Sequence, residues 1–288
     1  MTNHVLTMVA GNEGGTGKTT LSDLLFARFR LDGVAAGVVE IDNAPRLSKR
    51  VSKEKGGADL VKAFHTLAPA PDHNDIRENE KAAVRHYNPL WSLIKGGNVL
   101  LDQGGSVFKG VAQWWVANGV RERCEKAGIA VQIVGVCIPE AETVRSALAT
   151  AKIAAEAMLP KGGDSKLFVL FNEKDQPGGF KALEGYKEYR ELRGMCEKGV
   201  ATAIDIPSCR SDFYKAARTA DISIAALLER LGERTALASM CREVGLDVDD
   251  ELTIDQERDS LDDWLATVNA EIGKLVHPAL LKQDVAAE

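Results

Sequence analysis

The chain has 288 residues, 45% of them hydrophobic and 27% charged, with a formal net charge of −6. That composition excludes a disordered or fibrous chain, and the charge leaves no global basic field for nucleic acid or anionic lipid, so any such binding needs a local patch. The length suits one large α/β domain with a substantial core, and the five cysteines, Cys124, Cys137, Cys196, Cys209 and Cys241, include no Cys-x-x-Cys pair, which argues for buried, reduced thiols.

The opening Met1-Thr2-Asn3-His4 runs straight into an apolar strand without the features of a secretion signal. No apolar run reaches bilayer-crossing length, so a cytoplasmic protein is expected. Strands are expected at 5–10, 35–41, 99–101, 131–138, 167–171 and 201–206, where short Val- and Ile-rich runs lie between glycine or polar residues. Helical spacing marks 19–32, where Leu21, Leu24, Leu25 and Phe29 recur before Gly33, and then 107–127, 140–159, 180–198 and 211–231. This alternation predicts a doubly wound, mostly parallel α/β sheet flanked by helices, with ligands at the carboxyl ends of its strands.

Two segments fall outside the alternation. Residues 48–93, with Pro69, Pro71, Pro89 and many charges, read as a helical insertion broken by a linker at 68–75. From Gly232 onward, Asp247, Asp249, Asp250 and Glu251 separate two helical stretches. The expected organisation is therefore a nucleotide-binding domain over 1–231, with 48–93 inserted in it, and a helical C-terminal extension over 232–288.

Immediately after the first strand comes Asn12-Glu13-Gly14-Gly15-Thr16-Gly17-Lys18-Thr19. Gly14, Gly15 and Gly17 permit backbone N–H groups to turn around phosphate oxygens, where a Cβ would obstruct turn and approach. Lys18 adds a charge for the β- and γ-phosphates, Thr19 a hydroxyl for Mg²⁺, and the helix starting there aims its positive end at the anion. The general pattern G-x-x-x-x-G-K-[ST] is missed only at its first position, Asn12, with Gly11 one place earlier. Asp102, ending Val99-Leu100-Leu101-Asp102, suits a Mg²⁺ site, or else caps the following helix.

The run Glu13-Gly14-Gly15-Thr16-Gly17-Lys18-Thr19-Thr20 resembles the K-G-G-x-G-K-T-T loop of the ParA/MinD family of deviant Walker ATPases. Val38-Val39-Glu40-Ile41-Asp42-Asn43-Ala44-Pro45 resembles the family's strand ending in D-x-D-P, and Asp102-Gln103-Gly104-Gly105-Ser106 its Walker B segment. Phe171-Asn172 resembles its adenine-contacting asparagine, and Ile206-Pro207-Ser208 with Phe213 its base-pocket segment. The pattern spans about residues 3–230.

This resemblance implies ATP and Mg²⁺ held by Glu13, Gly14, Gly15, Thr16, Gly17, Lys18, Thr19, Thr20, Asn172, Pro207 and Phe213. It implies Lys18, Asp42 and Asp102 as catalytic groups, with Thr19, Asp42 and Asp102 at the metal. It further implies an ATP-dependent homodimer that positions DNA or another large cargo, with a partner protein stimulating hydrolysis.

Two departures bear on mechanism. The family's signature lysine falls at Glu13, and like charges ~4 Å apart repel by about 1 to 4 kcal/mol in partly wet surroundings. The second acidic residue of D-x-D-P falls at Ala44, whose methyl group positions no water. A weak ATPase is expected, with Arg46 or Lys49 as a compensating cation unless Arg46, Lys49, Arg50, Lys53 and Lys55 form a solvated face.

Candidate DNA contacts are that cluster and Lys181, Lys187, Arg190 and Arg193, the latter diluted by Glu184, Glu188 and Glu191. The amphipathic tail through Leu261, Trp264, Leu265, Val268, Ile272, Leu275 and Val276 also carries Asp262, Asp263 and Glu271, which favours a packing helix or dimer contact over a membrane surface. Trp91, Trp114, Trp115 and Trp264 are expected in core or interface. The five histidines, His4, His65, His73, His86 and His277, lack metal-ligand spacing. A P-loop ligase or small-molecule kinase, with Glu13 or Asp42 handling substrate, and a non-hydrolysing nucleotide sensor are the alternative readings.

Overall fold

The computed structural model describes residues 3–54, 59, 63–70, 85–161, 164–243, 245 and 251–281. Seven strands, β1 (His4–Ala10), β2 (Gly37–Ile41), β3 (Phe64–Leu67), β4 (Val99–Gln103), β5 (Ile129–Cys137), β6 (Lys166–Asn172) and β7 (Thr202–Ile206), form one sheet in the order β3-β2-β4-β1-β5-β6-β7. Every pairing is parallel. Parallel strands need crossovers that cover both faces, and this is why β1, β4, β5 and β6 are mostly apolar.

Strand alternation sorts the core into two layers. Val5 and Val9 of β1, Ala130 and Val134 of β5, and Phe168 and Leu170 of β6 face one side, while Leu6, Met8, Ile133, Val169 and Phe171 face the other. The first layer is closed by α1 (Lys18–Leu31), α2 (Leu47–Val51), α8 (Asp212–Thr219), α9 (Ile224–Leu231), α10 (Arg234–Glu243) and α11 (Glu251–Gly273). The second is closed by α3 (Asn88–Gly96), α4 (Phe108–Ala117), α5 (Val120–Ala127), α6 (Ala141–Ile153) and α7 (Lys187–Glu197).

α1 forms because Leu21, Leu24, Leu25 and Phe29 share one buried stripe, and it stops where Gly33 takes φ +70° and returns its N–H to Arg30 O. Trp114 and Trp115 are buried in the second layer, with indole N–H groups donating to Asn88 Oδ1 and Met158 O. Residues beyond 231 pack in the same layer as α1, with Leu237, Leu261, Trp264, Val268 and Ile272 buried there.

Several sequence-level boundaries need correction. Residues 48–93 are not wholly a helical insertion: Phe64–Leu67 is the edge strand of the sheet. The linker expected at 68–75 lies outside the described residues from Pro71 onward, as do Lys55, His73, Asp247, Asp249 and Asp250. The helix expected at 107–127 is two, parted where Gly119 turns left-handed at φ 57°. That at 211–231 is also two, parted at Asp221, a non-glycine residue at φ 57°. The 140–159 stretch ends in a π turn at Ala154–Met158, and 180–198 opens with a 3-10 turn at Gly179–Leu183 before α7.

Candidate functional site

The carboxyl ends of β1, β2, β4 and β6 meet around the loop joining β1 to α1, where the strand order changes direction beside β1. α1 starts at Lys18 behind Gly17, which sits at φ 100° with no side chain capping the helix. The first turn of a helix leaves its N–H groups without partners inside the helix, so this uncapped end faces the loop as a ready anion site.

Gly17 is fixed by its neighbour as well as by its φ. A Cβ there would lie 2.4 Å from Asn172 Nδ2, which donates to Thr16 O at 3.0 Å. Asn172 Oδ1 in turn accepts Lys174 N at 3.0 Å, so its amide ties the end of β6 to the glycine-rich loop. A Gly17→Ala protein is therefore expected to lose about 1 to 3 kcal/mol of stability through left-handed strain and steric displacement, read as a lowered urea midpoint, and to bind Mg·ATP measurably more weakly.

Lys18 is buried and donates Nζ to Glu13 O. Burial pushes its pKa down, against the carboxylates of Asp102, Glu13 and Asp42, which hold the charge in place. Glu13 is half-buried, so its carboxylate acts on the lysine from the position where the resemblance implies a second cation.

Asp102 pairs in register with Val9 of β1 and is buried. Burial pushes it up to about 6, against the Ser22 and Thr19 hydroxyls, with Glu40 adding to the rise and the Lys18 ammonium opposing it. Its Oδ1 is buried and accepts no hydrogen bond from the described residues; Thr16 Oγ1 and Asn12 Oδ1 nearby in the loop are likewise buried and unpartnered. A buried oxygen without a donor is costly unless a ligand satisfies it. A hard cation keeping several waters fits Asp102 with the Thr19 hydroxyl, and among the described residues no group of three His, Cys, Asp or Glu forms a metal cage.

Asp42 follows β2 and accepts Ala44 N on Oδ1 at 3.0 Å. It approaches the end of β4 only because position 104 is glycine: a Cβ there would be 2.7 Å from Asp42 Oδ2. Sequence reasoning missed Glu40, a buried carboxylate that accepts Arg46 N, Leu47 N and Ser48 N at 2.8 to 2.9 Å and so fixes the 42–46 turn. Its signal was a lone glutamate inside an otherwise apolar strand. Ala44 and Arg46 are both exposed on that turn.

Beside the loop lies a narrow cleft of about 50 Å³ lined by Gly15, Thr20, Asn172, Pro207, Tyr214 and Trp264, among others. Phe213 is corrected here. It is fully buried in the core, because α8 turns about 100° per residue and directs Tyr214 to the cleft instead. Gly14 is exposed at the mouth of the loop.

The basic cluster of α2 is largely spoken for. Arg50, Lys53 and Lys49 lie 2.8, 3.7 and 3.8 Å from Asp221, and Arg50 also reaches Asp23 at 3.5 Å. On α7, Arg193 pairs with Asp205 at 2.6 Å and lies 3.6 Å from the centre of the Phe171 ring, while Glu188 and Glu191 hold Arg145 and Lys152. No helix among the described residues is long and apolar enough to cross a membrane.

No family model matches the sequence, and no curated protein matches it. Similar solved structures include the MinC:MinD cell division protein complex of Aquifex aeolicus, at 15% identity over 86% of this chain and 98% of that one, with a TM-score of 0.43. The septum site-determining protein MinD complexed with Mg-ADP from Pyrococcus horikoshii matches at 14% identity over 85% and 96%, with a TM-score of 0.44. An McdA–ATP complex from Cyanothece matches at 14% identity over 87% and 100%, with a TM-score of 0.41.

Proposed function

We propose that this chain binds Mg·ATP on the β1–α1 loop and works as a nucleotide-switched dimer of the ParA/MinD type that positions a large cargo. One observation carries the nucleotide reading. An uncapped helix end, a buried Lys18 and a buried Asp102 with an unsatisfied oxygen converge on a glycine-rich loop after the central strand. Phosphate on the loop amides and Lys18, with Mg²⁺ between Thr19, Asp102 and the phosphates, would satisfy all three.

Lys18 would hold the β- and γ-phosphates and draw charge from the bond that breaks, Asp102 would orient the metal's waters, and Asp42 would face the γ-phosphate from the end of β2. Mg²⁺ itself would neutralise the phosphate charge. With alanine at position 44, no second carboxylate on the 42–46 turn orients an attacking water, so hydrolysis in this reading is slow and completed by a stimulating partner protein.

Cargo reached through a partner is favoured over direct DNA contact, because Lys49, Arg50 and Lys53 already face Asp221 and pairing reduces what remains for phosphate. The test is calorimetry with Mg·ATP and Mg·ADP, followed by size exclusion with each nucleotide. A dimer with a slowly hydrolysed ATP analogue and a monomer with ADP is the expected result. Binding without any change in size would leave a nucleotide sensor, and no binding at all would remove the reading.

A further inference from the structure

Trp264 lies on α11, beyond the segment that resembles the ATPase family, yet it forms one wall of the cleft beside the phosphate loop. α11 is fastened to β7 and the chain that follows it at three places. Trp264 Nε1 donates to Pro207 O at 2.8 Å, and Asp205 N donates to Glu271 Oε2 at 3.0 Å. Glu257 accepts Asp212 N on its carboxylate and Ser211 Oγ on its main-chain carbonyl, the latter at 3.1 Å.

The indole meets Tyr214 with ring centres 4.6 Å apart and 43° between planes. Aromatic pairs favour offset-parallel or edge-on contact, and this pair has neither. The cleft is narrow, about 50 Å³, and opens beside the glycine-rich loop with both aromatic rings in its wall. Gly15 and Gly17 belong to the loop tied to Asn172, and Leu170, Asn172 and Ile206 belong to the sheet. Tyr214 of α8 and Trp264 of α11 meet side chain against side chain in the same wall.

We propose that the base of a bound nucleoside triphosphate parts Tyr214 from Trp264 and stacks on the indole, so that α11 reads whether the cleft holds a base. The inference rests on the nucleotide reading above. It assigns the C-terminal helix a direct part in recognition.

The experiment compares Mg·ATP with magnesium tripolyphosphate, which has the phosphates and no base, on the parent, Trp264→Ala and Trp264→Phe proteins. Trp264→Ala is expected to bind Mg·ATP about tenfold more weakly, about 1.4 kcal/mol, while its tripolyphosphate affinity stays within about twofold of the parent. Tryptophan emission of the parent should change with ATP and not with tripolyphosphate, and Trp264→Phe should abolish that change, because Trp91, Trp114 and Trp115 belong to the opposite layer. Equal weakening toward both ligands, no weakening, tighter ATP binding, or an ATP signal that survives in Trp264→Phe would each overturn the proposal. A parent that binds neither ligand removes the nucleotide reading and this inference with it; a parent that binds both, with Trp264→Ala unchanged, removes only this one.

Discussion

A Lys18→Ala protein is expected to bind Mg·ATP roughly 30- to 4,000-fold more weakly than the parent while folding almost as stably. The affinity loss follows from removing one partner of a buried charge pair, which costs about 2 to 5 kcal/mol. Here the loss exceeds a missing attraction, since Asp102, Glu13 and Asp42 all act on the Lys18 ammonium and would then face the phosphates without it. Mg²⁺ would remain as a counterion to the same three carboxylates, which keeps the effect finite.

The stability half of this expectation separates a ligand role from a structural one. Burial pushes the Lys18 pKa down, so the folded protein without nucleotide carries a desolvated ammonium whose hydrogen bond goes to Glu13 O. Deleting it relieves that desolvation and costs one hydrogen bond to a loop carbonyl, about 1 kcal/mol. Calorimetry with Mg·ATP and urea unfolding without it check the two halves. An affinity within about threefold of the parent, under half of the tenfold that 1.4 kcal/mol represents, would remove Lys18 from the site, and unfolding of the variant would make it a structural residue.

The central strands and the glycine-rich loop between β1 and α1 were legible because their signals are local. Runs buried on both faces read as continuous apolar stretches, and Gly14 to Thr19 are contiguous. β3 was hidden because an edge strand pairs on one side only and leaves His65 and Thr66 exposed, so Phe64-His65-Thr66-Leu67 lacks the density of a core strand. The break between α8 and α9 was hidden for the opposite reason: apolar spacing continues across Asp221, and only its left-handed backbone stops the helix. Tyr214 and Trp264 meet across a separation of fifty positions in sequence, and no local pattern at either residue records which helix crosses the cleft.

An Arg50→Met substitution is expected to destabilise the fold more at pH 8 than at pH 5, by up to about 1.4 kcal/mol, the free energy that an Asp23 of pKa about 7 gains by ionising at pH 8. Arg50 reaches from α2 to two carboxylates, Asp221 between α8 and α9 at 2.8 Å and the buried Asp23 of α1 at 3.5 Å. Asp23 Oδ2 also accepts Ile224 N at 3.2 Å, so the cluster joins α1, α2 and α9. Burial pushes Asp23 up to about 7, with Arg50 the strongest influence holding it down. An unfolded aspartate titrates near 3.9, so between about pH 4 and 7 the folded protein binds the extra proton, and the stability contributed by Asp23 is complete below 4 and is lost as pH rises through 7. Without Arg50 that pKa rises further, and the loss extends to higher pH. At pH 5 Asp23 is neutral in both proteins and only the partner of Asp221 is missing; Asp221 is half-exposed and, although its burial acts the other way, Arg50, Lys53 and Lys49 together hold it below the ordinary carboxylate range. Lys53 and Lys49 would remain to it. Urea unfolding of parent and variant at both pH values gives the comparison, and an equal loss at pH 5 and 8 would mean that Arg50 acts by packing and by Asp221, with no contribution from the charge on Asp23.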